Sequence, residues 1–498
     1  MSVDHLIQTR LDLHNRGDEI ISDLAETVVY SKEENEYQNQ LLESCPAEIW
    51  PHSSHHAACP RPVLVGQHHQ RMLQEMSESL TAAITSIVER WWNDRDASFS
   101  RRMPLEKEEE GILKWIDHEV AHGSMARYRD CLGAWRPDFL IHMDEGGEER
   151  FKVTEINARF SFNGLMHLAY GQAALQEKLG CTSEFVGATD PEKMRLAFQG
   201  SFGIFQPEYP LHLLKGLEEG IDIHMFIHEV ERRFNFKPRL ITPADLRLLP
   251  DPSLVGGYRL CCVVEDVAHL TSPPGFWTVD TPSGEIWEEV RQVGLELHQR
   301  ELMGLGPQML RQISLRCFND LRTILLVHDK RMLGIVRQEI PQLVVSGVLT
   351  SGQADTLLGG IAETLLPASE DLGRFLQACR ASSQLKDQYI LKPIRSGKGD
   401  GIVFGDGLDH AGWISALEAL LSPGLRLGSA YVVQRRIVHC LYDMVLKDSV
   451  GRVRYPLIGT FHIVGGQLLG LGIWRASDRR IVAISSGGSW MCSVMARA

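Results

Sequence analysis

The sequence predicts an α/β protein, because segments with the period of a strand alternate with segments with the period of a helix along much of the chain. The chain of 498 residues has room for two to four domains and a sizeable core. A glycine-rich stretch at 389–404, YILKPIRSGKGDGIVF, reads as a strand, a lysine, a glycine loop and a second strand. Because glycines let backbone N–H groups fold closely over phosphate, this stretch predicts a nucleotide-binding element.

The composition excludes several classes of protein. Hydrophobic residues make up 44% and charged residues 23% of the chain, as in ordinary globular proteins. The net charge of −13 argues against a general nucleic-acid binder, although it leaves room for a local basic pocket. The polar N-terminus lacks the apolar core of a secretory signal, and no apolar run approaches the ~18 residues of a membrane span. The ten cysteines form no CxxC pair, so we expect a cytoplasmic protein with free thiols.

The first 130 residues predict a largely helical region. Apolar residues in 1–50 recur at roughly helical spacing, 62–66 is a short strand, and 67–94 is a long helix. A cluster of His52, His55, His56 and Cys59 lies among prolines between them. The cluster could bind a metal, but it lacks the spacing of a structural zinc site, so a solvated loop is the favoured interpretation.

Residues 135–157 predict a β-hairpin that carries polar groups on one face. Side chains alternate along a strand, so Glu155 and Asn157 lie on the same face of the returning strand and face Asp138 across the hairpin. This set of hard oxygen ligands suits Mg²⁺. The alternative is an ordinary hairpin with exposed polar residues. Residues 171–320 show only a further alternation of helical and strand-like runs.

A lysine at a predicted strand–helix junction is the next candidate for phosphate binding. Thr323 to Val327 is predicted as a buried strand, and Asp329 as the N-cap of the helix that follows. Lys330 then lies beside the backbone donors of a helix start, which favours phosphate. The alternative is an exposed lysine on a capped surface helix.

The glycine loop differs from the two common nucleotide signatures. No P-loop string and no dinucleotide fingerprint occurs in the chain, and the glycines lead into a strand. The elements predicted in and around the loop are Lys392 at the strand end, the loop residues Ser396, Gly397, Lys398, Gly399 and Gly401, a strand at 430–437, and a hairpin at 459–474 that ends at Arg475. A plain hairpin with a loose loop is the alternative.

In chain order these elements resemble the ATP-grasp ligases. That family has a lysine entering a small lid, a second lysine before a glycine loop, a hinge strand for adenine and a later arginine. Here they correspond to Lys330, Lys392, the 396–401 loop, Tyr431, Val432, Val433 and Gln434, and Arg475. The Glu-x-Asn metal strand, which comes last in most of the family, occurs early in EINARFSFNGL. This circularly permuted order is similar to that of eukaryotic glutathione synthetase and glutathionylspermidine synthetase. The second of these also has an Arg-x-Asp before its Glu-x-Asn, which Arg136-Pro137-Asp138 resembles.

The resemblance implies an ATP-grasp fold of the circularly permuted type, in which two α/β subdomains clamp ATP beside a helical N-terminal region. The implied segments are 1–130, 131–320 with the metal-binding hairpin and substrate region, and 321–498 with the lid, hinge and closing strands. Asp138, Glu155 and Asn157 would hold Mg²⁺, and the two lysines, the glycine loop and the hinge would hold ATP. Arg475 and Arg136 would be catalytic. Substrate contacts are expected at Ser161, Asn163 and Gly164.

The implied activity is an ATP-dependent carboxylate–amine ligase acting on a small amino-acid-like substrate through an acyl phosphate, with ADP and phosphate released. ATP and Mg²⁺ are the expected cofactors, and a small-molecule carboxylate and an amine are the expected partners, without nucleic acid or membrane. The alternatives are an ATP-dependent small-molecule kinase on the same fold and a non-catalytic ATP-binding protein. The N-terminal region is a candidate lid, substrate wall or homodimer interface, and no dedicated general base is evident.

Overall fold

The computed structural model of the chain describes residues 5–11, 27–161, 164–179, 184–196, 206, 208–218, 220, 222–264, 277–422 and 430–497. Its α-helices are α1 (Thr27–Ser44), α2 (Gln67–Glu89), α3 (Phe99–Arg102), α4 (Lys107–Ala121), α5 (Leu165–Leu179), α6 (Pro191–Leu196), α7 (Ile223–Phe234), α8 (Gln299–Met303), α9 (Pro307–Ser314), α10 (Arg331–Val345), α11 (Ser351–Gly360), α12 (Glu370–Ala381) and α13 (His410–Ala419).

The strands of the described residues are β1 (Ile7–Gln8), β2 (Val63–Leu64), β3 (Ala134–Met143), β4 (Glu149–Asn157), β5 (Phe185–Gly187), β6 (His212–Lys215), β7 (Arg239–Ile241), β8 (Leu246–Pro250), β9 (Tyr258–Val264), β10 (Thr278–Asp280), β11 (Ile286–Glu289), β12 (Val293–Glu296), β13 (Thr364–Leu365), β14 (Tyr389–Pro393), β15 (Val403–Phe404), β16 (Tyr431–Arg435), β17 (Leu441–Val445), β18 (Arg452–Pro456), β19 (Ile458–Val464), β20 (Gln467–Leu471), β21 (Trp474–Ala476), β22 (Ser489–Met491) and β23 (Ser493–Ala496).

The central sheet joins strands from distant parts of the chain. Its order is β22-β21-β19-β3-β4, with β20 also paired to β19. The antiparallel β3–β4 hairpin and the β19–β20 hairpin were both predicted, and the structure confirms them. Because β19 pairs with β3, the last hundred residues complete a sheet that starts with the predicted metal-binding hairpin.

A smaller sheet with its own core carries the glycine loop. Its order is β13-β16-β14-β15, and β14 and β15 are the predicted strands on either side of the loop. Apolar side chains of α12 and α13, Trp413 and Leu376 among them, pack against this sheet in a cluster separate from the main core. We call these four strands, the glycine loop between β14 and β15, and the helices α12 and α13 the lid, because they share a core of their own.

Other sheets lie around these two. A parallel sheet, β12-β6-β7, and a four-stranded antiparallel sheet, β10-β11-β9-β8, account for the strand-like runs of the middle segment. The N-terminal β1 and β2 join β23 and β5 in a further sheet, so the start and the end of the chain are paired. The largest apolar core contains residues from all three predicted segments, and the division into three domains stays a prediction.

Two local predictions were wrong. Thr323–Val327, predicted as a strand, is a π-helical segment whose five residues are all buried. A short apolar run that is buried on every side has no period that separates helix from strand. Near the N-terminus, Ile7–Gln8 is a strand where a helix was predicted, whereas α1 agrees with the prediction and residues 12–26 lie outside the described part.

The histidine cluster is only partly a solvated loop. His52 and His56 are exposed on the 3-10 helical segment Pro51–Ala57, but His55 and Cys59 are buried. The nine cysteines of the described residues are all free thiols, as predicted. Among the described residues, no helix combines the length and the apolar character that crossing a membrane requires.

Candidate functional site

A cavity of about 330 Å³ lies between the β3–β4 hairpin, the lid and β21. Ten of the residues predicted to bind ATP, metal or substrate or to be catalytic line it: Arg136, Asp138, Glu155, Asn157, Gly164, Lys392, Lys398, Gly399, Gln434 and Arg475. They come from five separate stretches of sequence, so their convergence is a property of the fold.

Asp138 is the centre of a polar network at the cavity wall. On β3 it is paired in register with Glu155 of β4, and Arg136 is paired with Asn157. Arg136 Nε donates to Asp138 Oδ1 at 3.0 Å, and Asn157 Nδ2 donates to the same oxygen at 3.1 Å. Arg475 Nη2 donates to Oδ2 at 2.5 Å. Two arginines therefore hold a carboxylate that is only 6% exposed in a fixed orientation.

Glu155 is paired with both predicted phosphate lysines. Its Oε2 lies 3.0 Å from Lys392 Nζ and 3.7 Å from Lys330 Nζ. Burial alone would raise the pKa of Glu155, but the two lysines outweigh it and hold the pKa well below its ordinary value. The carboxylate is therefore anionic at neutral pH, which is the form that a metal ion binds.

Lys330 connects this network to the glycine loop. Its Nζ donates to the backbone oxygen of Ser396 at 2.5 Å. Burial lowers the pKa of Lys330, and Glu155 opposes that effect. The N-cap of α10 is Lys330 itself, so the predicted cap at Asp329 is one residue too early. The Asp329 side chain instead accepts from the backbone and guanidinium of Arg331.

The glycine loop reaches the cavity through its middle residues. Lys398 and Gly399 line the cavity, whereas Ser396, Gly397 and Gly401 do not. Lys398 Nζ pairs with Glu218 Oε1 at 2.9 Å, which joins the loop to the middle segment. Gly399 has φ +79°, and a Cβ there would lie 2.3 Å from Ile481 Cγ2. Only glycine fits this position without displacing Ile481.

The predicted adenine hinge is mostly inside the lid sheet. Val432 and Val433 are fully buried on β16, which pairs with β14 on one side and with β13 at residues 433–434 on the other. Gln434 Nε2 donates to the Thr154 oxygen at 3.0 Å, so its side chain ties the lid to β4. Of these hinge residues, the lining of the cavity includes only Gln434, and the following Arg435–Ile437 line it as well. The adenine role of 431–434 stays a prediction.

The three predicted substrate residues differ in their surroundings. Gly164 lines the cavity, and a Cβ there would lie 3.4 Å from Arg136 Nη1. Ser161 is buried away from the cavity, and its Oγ accepts from the Leu295 N–H of β12 at 3.3 Å. Asn163 lies outside the described residues.

The sequence analysis missed several cations of the cavity. Its lining also includes Arg435, Arg436, Arg479 and Arg480. With Arg136, Arg475, Lys392 and Lys398 these make eight cations, against the carboxylates of Asp138 and Glu155 in the same lining, of Asp406, which pairs with Arg436 and Arg480, and of Glu218, which pairs with Lys398. The arginine pairs are visible in the sequence, but such pairs also occur on solvated surfaces. Only their position in the fold identifies them as residues of the cavity. This excess of positive charge fits a polyanionic ligand.

The residues present fit ATP and Mg²⁺ on two observations. Arg475 Nε is buried without a hydrogen-bond partner among the described residues, which leaves a donor for an anion. The described residues contain no group of three His, Cys, Asp or Glu side chains that could hold a metal. The second observation is that the register of the β3–β4 hairpin brings the carboxylates of Asp138 and Glu155 close to the Asn157 amide, an all-oxygen set of the kind that suits Mg²⁺.

Comparison with known proteins identifies the family and the type of fold. The family described as the AnkG N-terminal domain matches residues 76–326. The protein named ATP-grasp enzyme ankG from Aspergillus thermomutatus is 35% identical over 444 residues, which covers 88% of each chain. A glutathione synthetase-like effector from Globodera pallida, solved in its apo form, superposes with a TM-score of 0.52 at 11% identity. That match covers 95% of this chain and 98% of the effector, and it supports the ATP-grasp type of fold.

Proposed function

The chain belongs to the AnkG family of ATP-grasp enzymes, and from that premise we propose that it is an ATP-dependent carboxylate–amine ligase. The reaction would activate a small amino-acid-like acid as an acyl phosphate and join it to an amine, releasing ADP and phosphate. The observation that carries the proposal is the charge network at the cavity wall, in which Lys330 and Lys392 pair with Glu155 and Arg475 pairs with Asp138.

The two lysines are suited to bind the α- and β-phosphates. Both are buried, and both are oriented toward Glu155 by their ion pairs with it. Phosphoryl transfer depends mainly on positioning and charge neutralisation, so cations that are already held in place reduce the reorganisation that the reaction needs.

Asp138, Glu155 and Asn157 are the residues that would hold the magnesium ion. When bound, Mg²⁺ supplies charge neutralisation for the phosphate oxygens. The lysines keep Glu155 ionised and oriented, and the arginines hold Asp138 in one orientation, as the neighbours of metal ligands commonly do.

Arg475 and Arg136 are the candidates for stabilising the transferring phosphoryl group or the acyl phosphate. Both contact Asp138, which fixes the two guanidinium groups at one side of the cavity. The unpartnered Nε of Arg475 supports a direct contact with an anionic oxygen.

The glycine loop would exclude water during the reaction. An acyl phosphate hydrolyses readily, so a ligase needs a cover over the reacting groups. The ion pair between Lys398 and Glu218 is a means of holding the loop closed, because it joins the loop to the middle segment of the chain.

The order of the elements supports the circularly permuted type. The Glu-x-Asn strand β4 precedes the lysine-bearing α10 and β14, and β19 pairs with β3 beside it in the central sheet. The proposed metal strand and a strand from late in the chain thus lie in one sheet, which supports the permuted order.

The first test measures ADP and phosphate release from Mg-ATP against a panel of amino acids and small acids, each with and without candidate amines. Wild type is compared with Glu155→Gln, which removes the charge and keeps the shape of the side chain. Glu148→Gln is the matched control, because Glu148 lies in the turn of the same hairpin and is 70% exposed. We expect release that depends on an acid, an amide product by mass spectrometry, and a loss of about 10²-fold or more in Glu155→Gln.

Two results would contradict the ligase. Release of ADP with a stable phosphate ester, independent of any amine, would identify a small-molecule kinase on the same fold. Binding of ATP by calorimetry without turnover on any acid would identify a non-catalytic ATP-binding protein.

A further inference from the structure

A serine, a histidine and an aspartate form a hydrogen-bonded chain beside the cavity. Ser54 Oγ lies 2.8 Å from His167 Nε2, and His167 Nδ1 lies 2.5 Å from Asp222 Oδ1. The three residues come from the Pro51–Ala57 segment, from α5 and from the residue before α7. None of them belongs to the ATP-binding network described above.

The hydrogen bonds assign a role to each nitrogen of the imidazole. The second oxygen of Asp222 accepts from the Met166 N–H at 2.8 Å, which fixes the carboxylate against the start of α5. Because a carboxylate accepts hydrogen bonds, His167 Nδ1 carries the proton that bonds to it. His167 Nε2 is then the acceptor for the Ser54 hydroxyl, as in a general base that activates a serine nucleophile.

The surroundings hold this arrangement in one orientation. The Trp50 ring meets His167 edge-on with centroids 5.3 Å apart, and the Trp490 ring lies at 5.8 Å. Trp490 Nε1 also donates to the backbone oxygen of Ser54 at 2.8 Å. Ser54 is 3% exposed and His167 1%, so bulk water does not compete for these hydrogen bonds.

The serine and the histidine both line the cavity that contains the ATP-binding residues. Gly164, immediately before α5, lines it too, so the positive end of the α5 dipole lies at the cavity wall near His167. A buried network with only a structural role would not need to line the cavity.

We propose that Ser54, His167 and Asp222 form a second catalytic site, an acyl-transfer triad that accepts the acyl group of a small activated ester or acyl phosphate. Ser54 Oγ bonds to the carbonyl carbon while its proton passes to His167 Nε2, and the bond from that carbon to the leaving oxygen breaks. The leaving oxygen takes up the proton. Water then attacks the acyl-serine, gives a proton to His167 and releases the acid, and the proton returns to Ser54.

The net reaction is hydrolysis with water as the only co-reactant, so this activity needs no ATP. In a ligase with the same cavity it would remove activated acyl groups that no amine has captured. The triad itself does not depend on the function proposed above, because neither Glu155 nor the lysines take part in its steps.

The test uses the full-length protein without nucleotide. Wild type is incubated with a fluorophosphonate probe, and the labelled residue is identified by peptide mass spectrometry. Hydrolysis of p-nitrophenyl acetate and of acetyl phosphate is measured in parallel, which separates the ester from the acyl phosphate. Ser54→Ala removes the nucleophile, Asp222→Asn changes the histidine tautomer, and Ser53→Ala is the matched control, because Ser53 is the exposed neighbour in the same segment.

We expect label on Ser54 and a fall of roughly 10²-fold in hydrolysis in Ser54→Ala and Asp222→Asn, with Ser53→Ala equal to wild type. Thermal unfolding checks that each variant is folded, and labelling of wild type is informative even if a variant is not. Absence of label on Ser54, with hydrolysis of both compounds equal in wild type and folded Ser54→Ala, would overturn the proposal. Failure of the ligase test would not affect this result, because Ser54 should still be labelled in the Glu155→Gln variant.

Discussion

Arg475 and Asp138 form an ion pair at 2.5 Å although 337 residues separate them in the chain. The pair joins β21, near the end of the protein, to the hairpin that carries the predicted metal residues. Arg136 holds the other oxygen of Asp138 at 3.0 Å, so the carboxylate bridges two cations. The cavity is therefore assembled only when both ends of the central sheet are in place.

Replacing Arg475 with glutamine should lower kcat for ATP-dependent turnover by about 10² to 10³-fold, because a donor to the transferring phosphoryl group is lost. KM for ATP should change less, since Lys330 and Lys392 remain. Steady-state kinetics of ADP release measures both constants. Arg454→Gln, on the exposed side of β18, is the control. Turnover by Arg475→Gln within twofold of wild type would exclude the catalytic role.

The ion pair between Lys398 and Glu218 should keep ATP turnover coupled to formation of the amide product. Lys398 is about half exposed, so the pair should add less than ~1 kcal/mol to the free energy of unfolding. Its loss should instead let water reach the acyl phosphate and raise the ratio of phosphate to amide product.

Lys398→Ala, Glu218→Gln and the double variant test this coupling through that ratio. We expect both single variants to raise it and the double variant to add little more, because either change breaks the same contact. Lys447→Ala, an exposed lysine in the β17–β18 turn, is the control. Fully additive effects would show that the two residues act independently.

Gly399→Ala should disrupt the glycine loop. Its φ of +79° makes a side chain cost about 1–2 kcal/mol in backbone strain. The added Cβ would also lie 2.3 Å from Ile481, so the loop or Ile481 must move. We expect a higher KM for ATP, measured by turnover. Gly407→Ala, with no atom within 4 Å of its added Cβ, should behave as wild type, and equal KM values in the two variants would contradict this account.

Glu149 should make stability depend on pH. Its carboxylate accepts from the Leu6 N–H and His69 at 3.0 Å and from the Tyr442 hydroxyl at 2.8 Å, which ties the N-terminus and β17 to β4. Burial raises its pKa, but these hydrogen bonds outweigh burial and lower it below the ordinary 4.5. A carboxyl group whose pKa is lower in the folded state stabilises the protein above its unfolded pKa, and that contribution is lost as pH falls.

Glu149→Gln should therefore melt below wild type at pH 7, by the equivalent of about 1.5–3 kcal/mol. The gap should narrow as pH falls below 4.5. Melting temperatures of both proteins from pH 3.5 to pH 7 measure it, with Glu148→Gln as the exposed neighbour control. A difference in melting temperature that stays constant across this pH range would mean that the charge of the Glu149 carboxylate contributes nothing to stability.

The β3–β4 hairpin was predictable because its information is local. The two-residue period and the Gly146-Gly147 turn indicate two strands, and period two alone puts Glu155 and Asn157 on one face. The observed register pairs Asp138 with Glu155, as expected. The glycine hairpin was predictable for the same reason, since Lys392 lies at the strand end just before the glycines.

The adenine hinge illustrates the opposite case. A strand was predicted at 430–437, and β16 covers 431–435 of it. All of β16 pairs with β14 and residues 433–434 also pair with β13, so the cavity meets only Gln434 and the residues that follow it. Whether a strand lies at an edge or in the middle of a sheet depends on strands distant in sequence. The two-residue period of the strand does not show whether it lies at an edge or in the middle of the sheet.

The class of fold, both hairpins and the residue types able to bind phosphate and a hard cation could be predicted, because each rests on periodicity or spacing over a few residues. Only the folded protein shows that Arg475 meets Asp138, that four further arginines line the cavity, and that Ser54, His167 and Asp222 form a hydrogen-bonded chain. These contacts join residues from separate elements. They depend on how sheets and helices pack around a shared core. That packing results from many weak contacts distributed over the whole chain.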